Sequence, residues 1–184
     1  MTDKAHSLAF DLDVNIRGYQ EHADFFERLE IKLSLLAGLA GLSVVGTTLA
    51  EAGPFWVKFF GVATGIASLL AMLIKPSDRA RRNREAANAY IAIDRERLRL
   101  GEEPAAAKIA ELADRALAIE ETAPKLTLAL QAAAYNEAAM RFQAPEEWRV
   151  TIGPAQRFFR HYFDINGHNL RLSGGSGQSR LEAT

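Results

Sequence analysis

The sequence predicts an all-α membrane protein, in which a hairpin of two transmembrane helices carries a cytoplasmic helical bundle. Three observations predict it. Two long apolar runs, residues 33–50 and 55–74, stand four residues apart. Outside them the chain is charged, alanine-rich and patterned at helical spacing. No segment carries the alternation of a strand, and Val150-Thr-Ile152 is too short to count.

The first run, LSLLAGLAGLSVVGTTLA, contains no charged residue, and the second contains only Lys58. At a helical rise of 1.5 Å per residue they measure about 27 and about 30 Å. A bilayer's hydrocarbon core is about 30 Å thick. Neither run has a polar face, so a soluble domain would have to cover both on every side. The runs begin over thirty residues into the sequence, after several acids, unlike a secretory leader.

Glu51-Ala52-Gly53-Pro54 joins the runs. Gly and Pro end one helix, and Pro suits the first turn of the next. So short a link makes the helices antiparallel neighbours. Lys58, one turn into the second run, can snorkel to the head groups. Phe55, Trp56, Phe59 and Phe60 gather at the same end as an interfacial belt. Lys75, Arg79, Arg81, Arg82 and Arg84 follow the second run, and Arg28 and Lys32 precede the first. Basic residues stay on the cytoplasmic side, so both termini are expected there. The same stretch can contact anionic lipid, although its role as a stop signal is sufficient by itself.

Small residues mark candidate packing positions: Ala37 with Gly41, and Gly61 with Gly65, a GxxxG. Such pairs let backbones approach closely in lipid. They either pack the hairpin on itself or join copies of the chain, and both readings stand. Ser43, Thr47, Thr64 and Ser68 are the candidate pore-lining groups. The plainer expectation is that these hydroxyls bond to their own backbone carbonyls. No acid or base sits at mid-membrane to mark a proton relay, and no broad polar stripe marks an ion-selective channel.

The expected organisation is an N-terminal cytoplasmic helix in residues 1–30, the hairpin at 31–76, a cytoplasmic helical region at 77–167 and a flexible tail at 168–184. The N-terminal helix is expected from about residue 13, with Phe25, Phe26 and Leu29 on its apolar side. Asp11, Asp13 and Asn15 resemble the opening of a calcium loop. However, Ile16 replaces the required Gly and His22 the required Glu, so they read as helix-start residues. Pro76-Ser77-Asp78 opens a helix to about residue 100, with a stripe of Ala87, Tyr90, Ile91, Asp94 and Leu98. A helix over 105–121 presents Ile109, Leu112, Ala113, Ala116, Leu117 and Glu120 on one face. Thr122-Ala-Pro124 opens another, to about residue 142, with Leu126, Leu130, Ala133 and Ala134 inward. Ala144-Pro-Glu-Glu-Trp148 reads as a turn. Residues 154–163 interleave Phe158, Phe159, Tyr162 and Phe163 with Arg157, Arg160 and His161, for packing or for a membrane surface. From Ser173 the Gly/Ser-rich tail resembles a linker, and it lacks the Gly-Lys-Ser/Thr of a phosphate loop.

The formal net charge of −1 provides no broad basic field for nucleic acid. Having no cysteine excludes disulfide frameworks, zinc ribbons and thiol catalysis. His6, His22, His161 and His168 are scattered without ligand spacing, so no metal or other cofactor is expected. Acids among arginines, as in Asp94-Arg-Glu-Arg97, read as a solvated helix face. No nucleophile motif suggests an enzyme.

The order of parts, with a basic stretch and Asn83-x-x-x-Ala87-x-x-Tyr90 after the second run, resembles the SLATT family. These are two-transmembrane effectors of bacterial conflict systems. The resemblance covers roughly residues 18–163. It implies an inner-membrane effector of antiphage defence that oligomerises and perforates the bilayer. It also implies a nucleotide-signalling or sensor protein as partner. The alternative is a membrane-anchored adaptor whose cytoplasmic helices dock a partner.

Overall fold

The computed structural model describes residues 3–49, 54–101, 105–164 and 171–172. The chain is mostly helical. Helix α1 spans Asp3–Leu49, α2 Pro54–Ile74, α3 Pro76–Arg99, α4 Ala106–Thr122 and α5 Leu128–Arg141. A 3₁₀ turn at Glu146–Trp148, strand β1 at Val150–Thr151, helix α6 at Pro154–Phe159 and strand β2 at Arg171–Leu172 follow.

The contacts divide the chain into two units, one of residues 1–22 and 82–184, the other of Ala23–Arg81. Residues 1–22 thus group with residues 82–184, and the rest of α1 groups with α2. The apolar positions of residues 1–22 explain the first grouping. Ala5, Leu8, Leu12 and Tyr19 recur at helical spacing and join one core with Ala86, Ala87, Tyr90, Ile93, Ile109, Leu112, Leu126 and Leu130. Phe10 sets its ring edge-on to Tyr135 and Phe142, at 5.2 and 5.5 Å.

Several local expectations are corrected. Helix α1 begins at Asp3, so Asp13 lies inside it. The Asp13 carboxylate accepts Arg17, one turn on, at 2.7 Å and Arg141 at 2.6 Å. An acid this well paired by cations is comfortable in a helix interior. Thr122 closes α4. The next helix waits for Thr127, whose hydroxyl accepts the Leu130 N–H at 3.3 Å. The buried stripe of α3 runs through Asn83, Ala86, Ala87, Tyr90 and Ile93, leaving Leu98 exposed. On α4, Ile119 packs on the core while Leu117 and Glu120 are exposed. A two-residue antiparallel pairing, Val150 with Leu172 and Thr151 with Arg171, brings part of the expected tail back to the fold. The tail beyond Leu172 lies outside the described residues.

Between α2 and α3 the backbone turns at Lys75, whose φ of 47° is left-handed. Pro76 disfavours a right-handed helical residue before it and donates no N–H. The break therefore falls where the sequence places it. Gly101, at φ 78°, closes α3 in the conformation that glycine tolerates best.

Gly18 marks a close approach of α1 to Leu126 and Ala134. A Cβ there would lie 2.7 Å from Leu126 Cδ1 and 3.7 Å from Ala134 Cβ. Alanine needs only that Leu126 swing aside. Valine adds two further carbons to a filled space and is expected to cost about 1–3 kcal/mol. A thermal unfolding series with Gly18→Ala and Gly18→Val checks this, and an unshifted Gly18→Val contradicts the close approach.

Candidate functional site

Among the described residues, one helix is long and apolar enough to cross a membrane. The stretch extends over Lys58–Arg99. Because α3 is dominated by charge and Lys75 breaks the helix, the apolar portion is α2. Its 21 residues give about 32 Å. Only 11% of the apolar window is buried. The core helix of a soluble protein hides such side chains, but here Val62, Ile66, Leu69, Met72 and Leu73 are all exposed. The first apolar run continues α1 to Leu49, and Ile31, Leu35, Leu36, Leu39, Leu42 and Val45 are also exposed.

The less exposed positions of α2 are Phe60, Ala63, Thr64, Ala67, Ala71 and Ile74, one helical stripe with Ala67 fully buried. Gly61 and Gly65 lie off it and are exposed. A Cβ added at Gly41, Gly61 or Gly65 meets nothing within 4 Å. Among the described residues, each of these three positions has room for a side chain. Ala37 is half-buried, and the buried small residues are Ala40 and Ala67. Sequence reading missed Ala67, although Ala63, Ala67 and Ala71 repeat every four residues.

Thr64 donates its hydroxyl to the Phe60 carbonyl at 2.9 Å, as a helix hydroxyl does in an apolar setting. Ser68 is exposed. The side chains of Ser43 and Thr47 lie outside the described residues. Phe55, Trp56, Phe59 and Phe60 stack and edge onto one another, with centroids 5.4 to 6.4 Å apart. Lys58 is exposed beside them. At the other end of α2, Lys75, Arg79, Arg81 and Arg82 are exposed and Arg84 is half-buried. The Arg79 guanidinium covers the Phe26 ring at 5.4 Å, and Ser77 donates to Glu30 at 2.5 Å.

In the unit of residues 1–22 and 82–184, Asn83, Ala87 and Tyr90 are all buried on one face of α3. Tyr90 stacks on Tyr19 at 5.7 Å. Burial pushes the Tyr19 phenol up to about 12, with Glu120 adding to it, and pushes Tyr90 well above its ordinary range. Both stay protonated at neutral pH and serve as packing groups. Asp94-Arg-Glu-Arg97 behaves as a solvated face: Arg97 pairs with Asp94 at 2.8 Å, and Glu96 meets Arg115 of α4 at 2.6 Å. A polar cluster joins residues far apart in sequence. Glu21 pairs with Arg160, and His22 stacks on His161 at 6.0 Å. Among the described residues no three His, Asp or Glu side chains gather as a metal-ligand set.

No protein-family model, curated protein or solved structure matches the chain.

Proposed function

We propose that the chain is a membrane effector that inserts through both apolar helices, assembles through the Gly61/Gly65 face of α2 and permeabilises the bilayer. The observation that carries the reading is that exposed face. Among the described residues a Cβ added at Gly61 or Gly65 meets nothing within 4 Å, and Val62, Ile66 and Leu69 beside them are exposed. A bare small-residue face in lipid suits close backbone approach by a second copy. The basic residues from Lys75 to Arg84, set against Glu51 in the link, support cytoplasmic termini. The resemblance to SLATT proteins supports a place at the bacterial inner membrane in antiphage defence. It also supports activation through a nucleotide-signalling or sensor protein.

The test is membrane potential in cells expressing the chain, read with a voltage-sensitive dye. The wild type is expected to depolarise them. Gly61→Leu and Gly65→Leu place a large side chain where the single chain has open space, so folding is kept and assembly is lost. Each is expected to reduce depolarisation by about tenfold, as a loss near 1.4 kcal/mol of association would. Unchanged potential with the wild type at full expression sinks the reading. If a foreign hairpin grafted in place of residues 31–74 preserves the activity, the adaptor alternative replaces it.

A further inference from the structure

Residues 154–164 are attached to the rest of their unit through a set of polar groups. Arg160 pairs with Glu21 of α1. The Arg160 carbonyl accepts the Thr127 hydroxyl at the start of α5. The His161 carbonyl lies 3.2 Å from His22 Nε2. Asp164 accepts the Leu128 N–H at 2.6 Å. The Phe158 and Phe163 side chains do little of this holding. Phe158 is 74% exposed and Phe163 53%. Their closest ring contacts, 4.9 and 5.0 Å, are with Phe159 of the same segment. The segment is therefore a strap whose described attachments concentrate in residues 160–164.

His161 sits at the centre of those attachments. Its ring is nearly enclosed, and its Nε2 accepts the Arg160 Nε–H at 3.2 Å. Only a neutral imidazole protonated at Nδ1 can accept there. Among the described residues the charged and titratable groups facing the ring include Arg160, on the strap itself, and Glu21 and His22, on α1. Glu21 lies 3.7 Å from Nε2 and favours a proton, but Arg160 already neutralises it. A proton on Nε2 would remove the acceptor, set an imidazolium against a guanidinium and compete with Arg160 for Glu21.

We propose that residues 154–164 form an acid-released latch on α1, with His161 as the proton-sensing group. The sign follows from the two states of the ring. Burial first, then Arg160 and His22, pull the latched ring from 6.5 down to about 4. A released strap regains the ordinary value and binds the extra proton. Latching is therefore at full strength above 6.5 and weakens as pH falls toward 4. The latch does not depend on what the membrane helices do.

The chain has no cysteine, and Ala155 is exposed on α6. A spin label on Ala155→Cys in the full chain, reconstituted in neutral-lipid vesicles, reads strap mobility directly. Between about pH 7.5 and about pH 5, a span that brackets the ordinary histidine range, the mobile fraction is expected to at least double. His161→Gln offers Arg160 an acceptor oxygen that does not titrate, and should stay immobile at both values. Glu21→Gln removes the ion pair and should be mobile at both. A wild-type label that ignores pH overturns the latch. So does a His161→Gln label that responds like wild type, or that is mobile throughout, because the ring then acts only by packing. An immobile Glu21→Gln label removes the attachment on which the latch depends.

Discussion

Ile66→Arg is expected to expel α2 from the bilayer. Ile66 lies near the middle of the 21-residue helix and is exposed rather than covered by the chain. Arginine at the centre of a membrane helix costs about 3 kcal/mol on insertion scales, roughly two orders of magnitude in partitioning. Snorkelling does not rescue it, because both interfaces lie about 15 Å away. The measurement is labelling of the thiol that Ser68→Cys introduces into this cysteine-free chain, by a membrane-impermeant reagent. With Ile66 in place lipid should shield the thiol, and with Ile66→Arg it should label, while the uncharged first run, residues 33–50, keeps the chain in the membrane fraction. Equal labelling of the two would remove α2 as a membrane-spanning helix. Lys58→Ala is the matched control: that ammonium stands at a helix end beside the aromatic cluster, where lysine is tolerated, so its loss should leave labelling unchanged.

The parts of the fold legible in the sequence are those set by local chemistry. Apolar runs announce themselves because hydropathy needs no tertiary partner. The break at Lys75 was readable because Pro76 acts on its own neighbour. Leu126, Leu130, Ala133 and Ala134 were readable as an inner face, and all four are buried. What failed depended on distant groups. Asp13 looks like a helix cap until Arg141, far along the chain, supplies its second cation. The sequence reads Thr122 as the opening of α5, and Thr127 opens it. Pro124 tips a sequence reader toward the first, while the partners Arg160 and Asp164 sit on the second and its neighbour Leu128.

The candidate site divides in the same way. GxxxG attracts notice as a spelled motif, yet the less exposed stripe of α2 runs through Ala63, Ala67 and Ala71, with Ala67 buried. Alanine at four-residue spacing is common in any alanine-rich helix, so the pattern carries little signal until burial singles it out. Among the described residues the exposed side of α2 carries the glycines and the less exposed side the alanines. The cluster of Glu21, His22, Arg160 and His161 had no signal at all. Its halves are separated by almost the whole described chain, and only the return of residues 154–164 to α1 brings them together.

Tyr90→Ala is expected to unfold the unit of residues 1–22 and 82–184 without releasing the chain from lipid. Tyr90 is 1% exposed, stacks on Tyr19 and belongs to the core that α1, α3, α4 and α5 share. Truncating a buried aromatic to alanine costs about 3–5 kcal/mol, and loss of the stacked pair adds about 1 kcal/mol. Single domains hold only about 5–15 kcal/mol of stability. One substitution therefore consumes much of that margin. Tyr90→Phe separates the ring from the hydroxyl. Its phenol reaches the Ala116 carbonyl only at 3.5 Å, so removing it should cost about 1 kcal/mol or less. Limited proteolysis of membrane-bound protein checks both variants. Tyr90→Ala should be cut within residues 82–164 at protease levels that spare wild type and Tyr90→Phe, while its apolar helices remain in the pellet. Ile66→Arg should show the reverse, a solvent-labelled α2 on a chain whose residues 82–164 still resist the protease. If both substitutions exposed α2 and abolished protection together, insertion and folding of the unit of residues 1–22 and 82–184 would be one event, and the division of the chain at Ala23 and Arg81 would have no energetic counterpart.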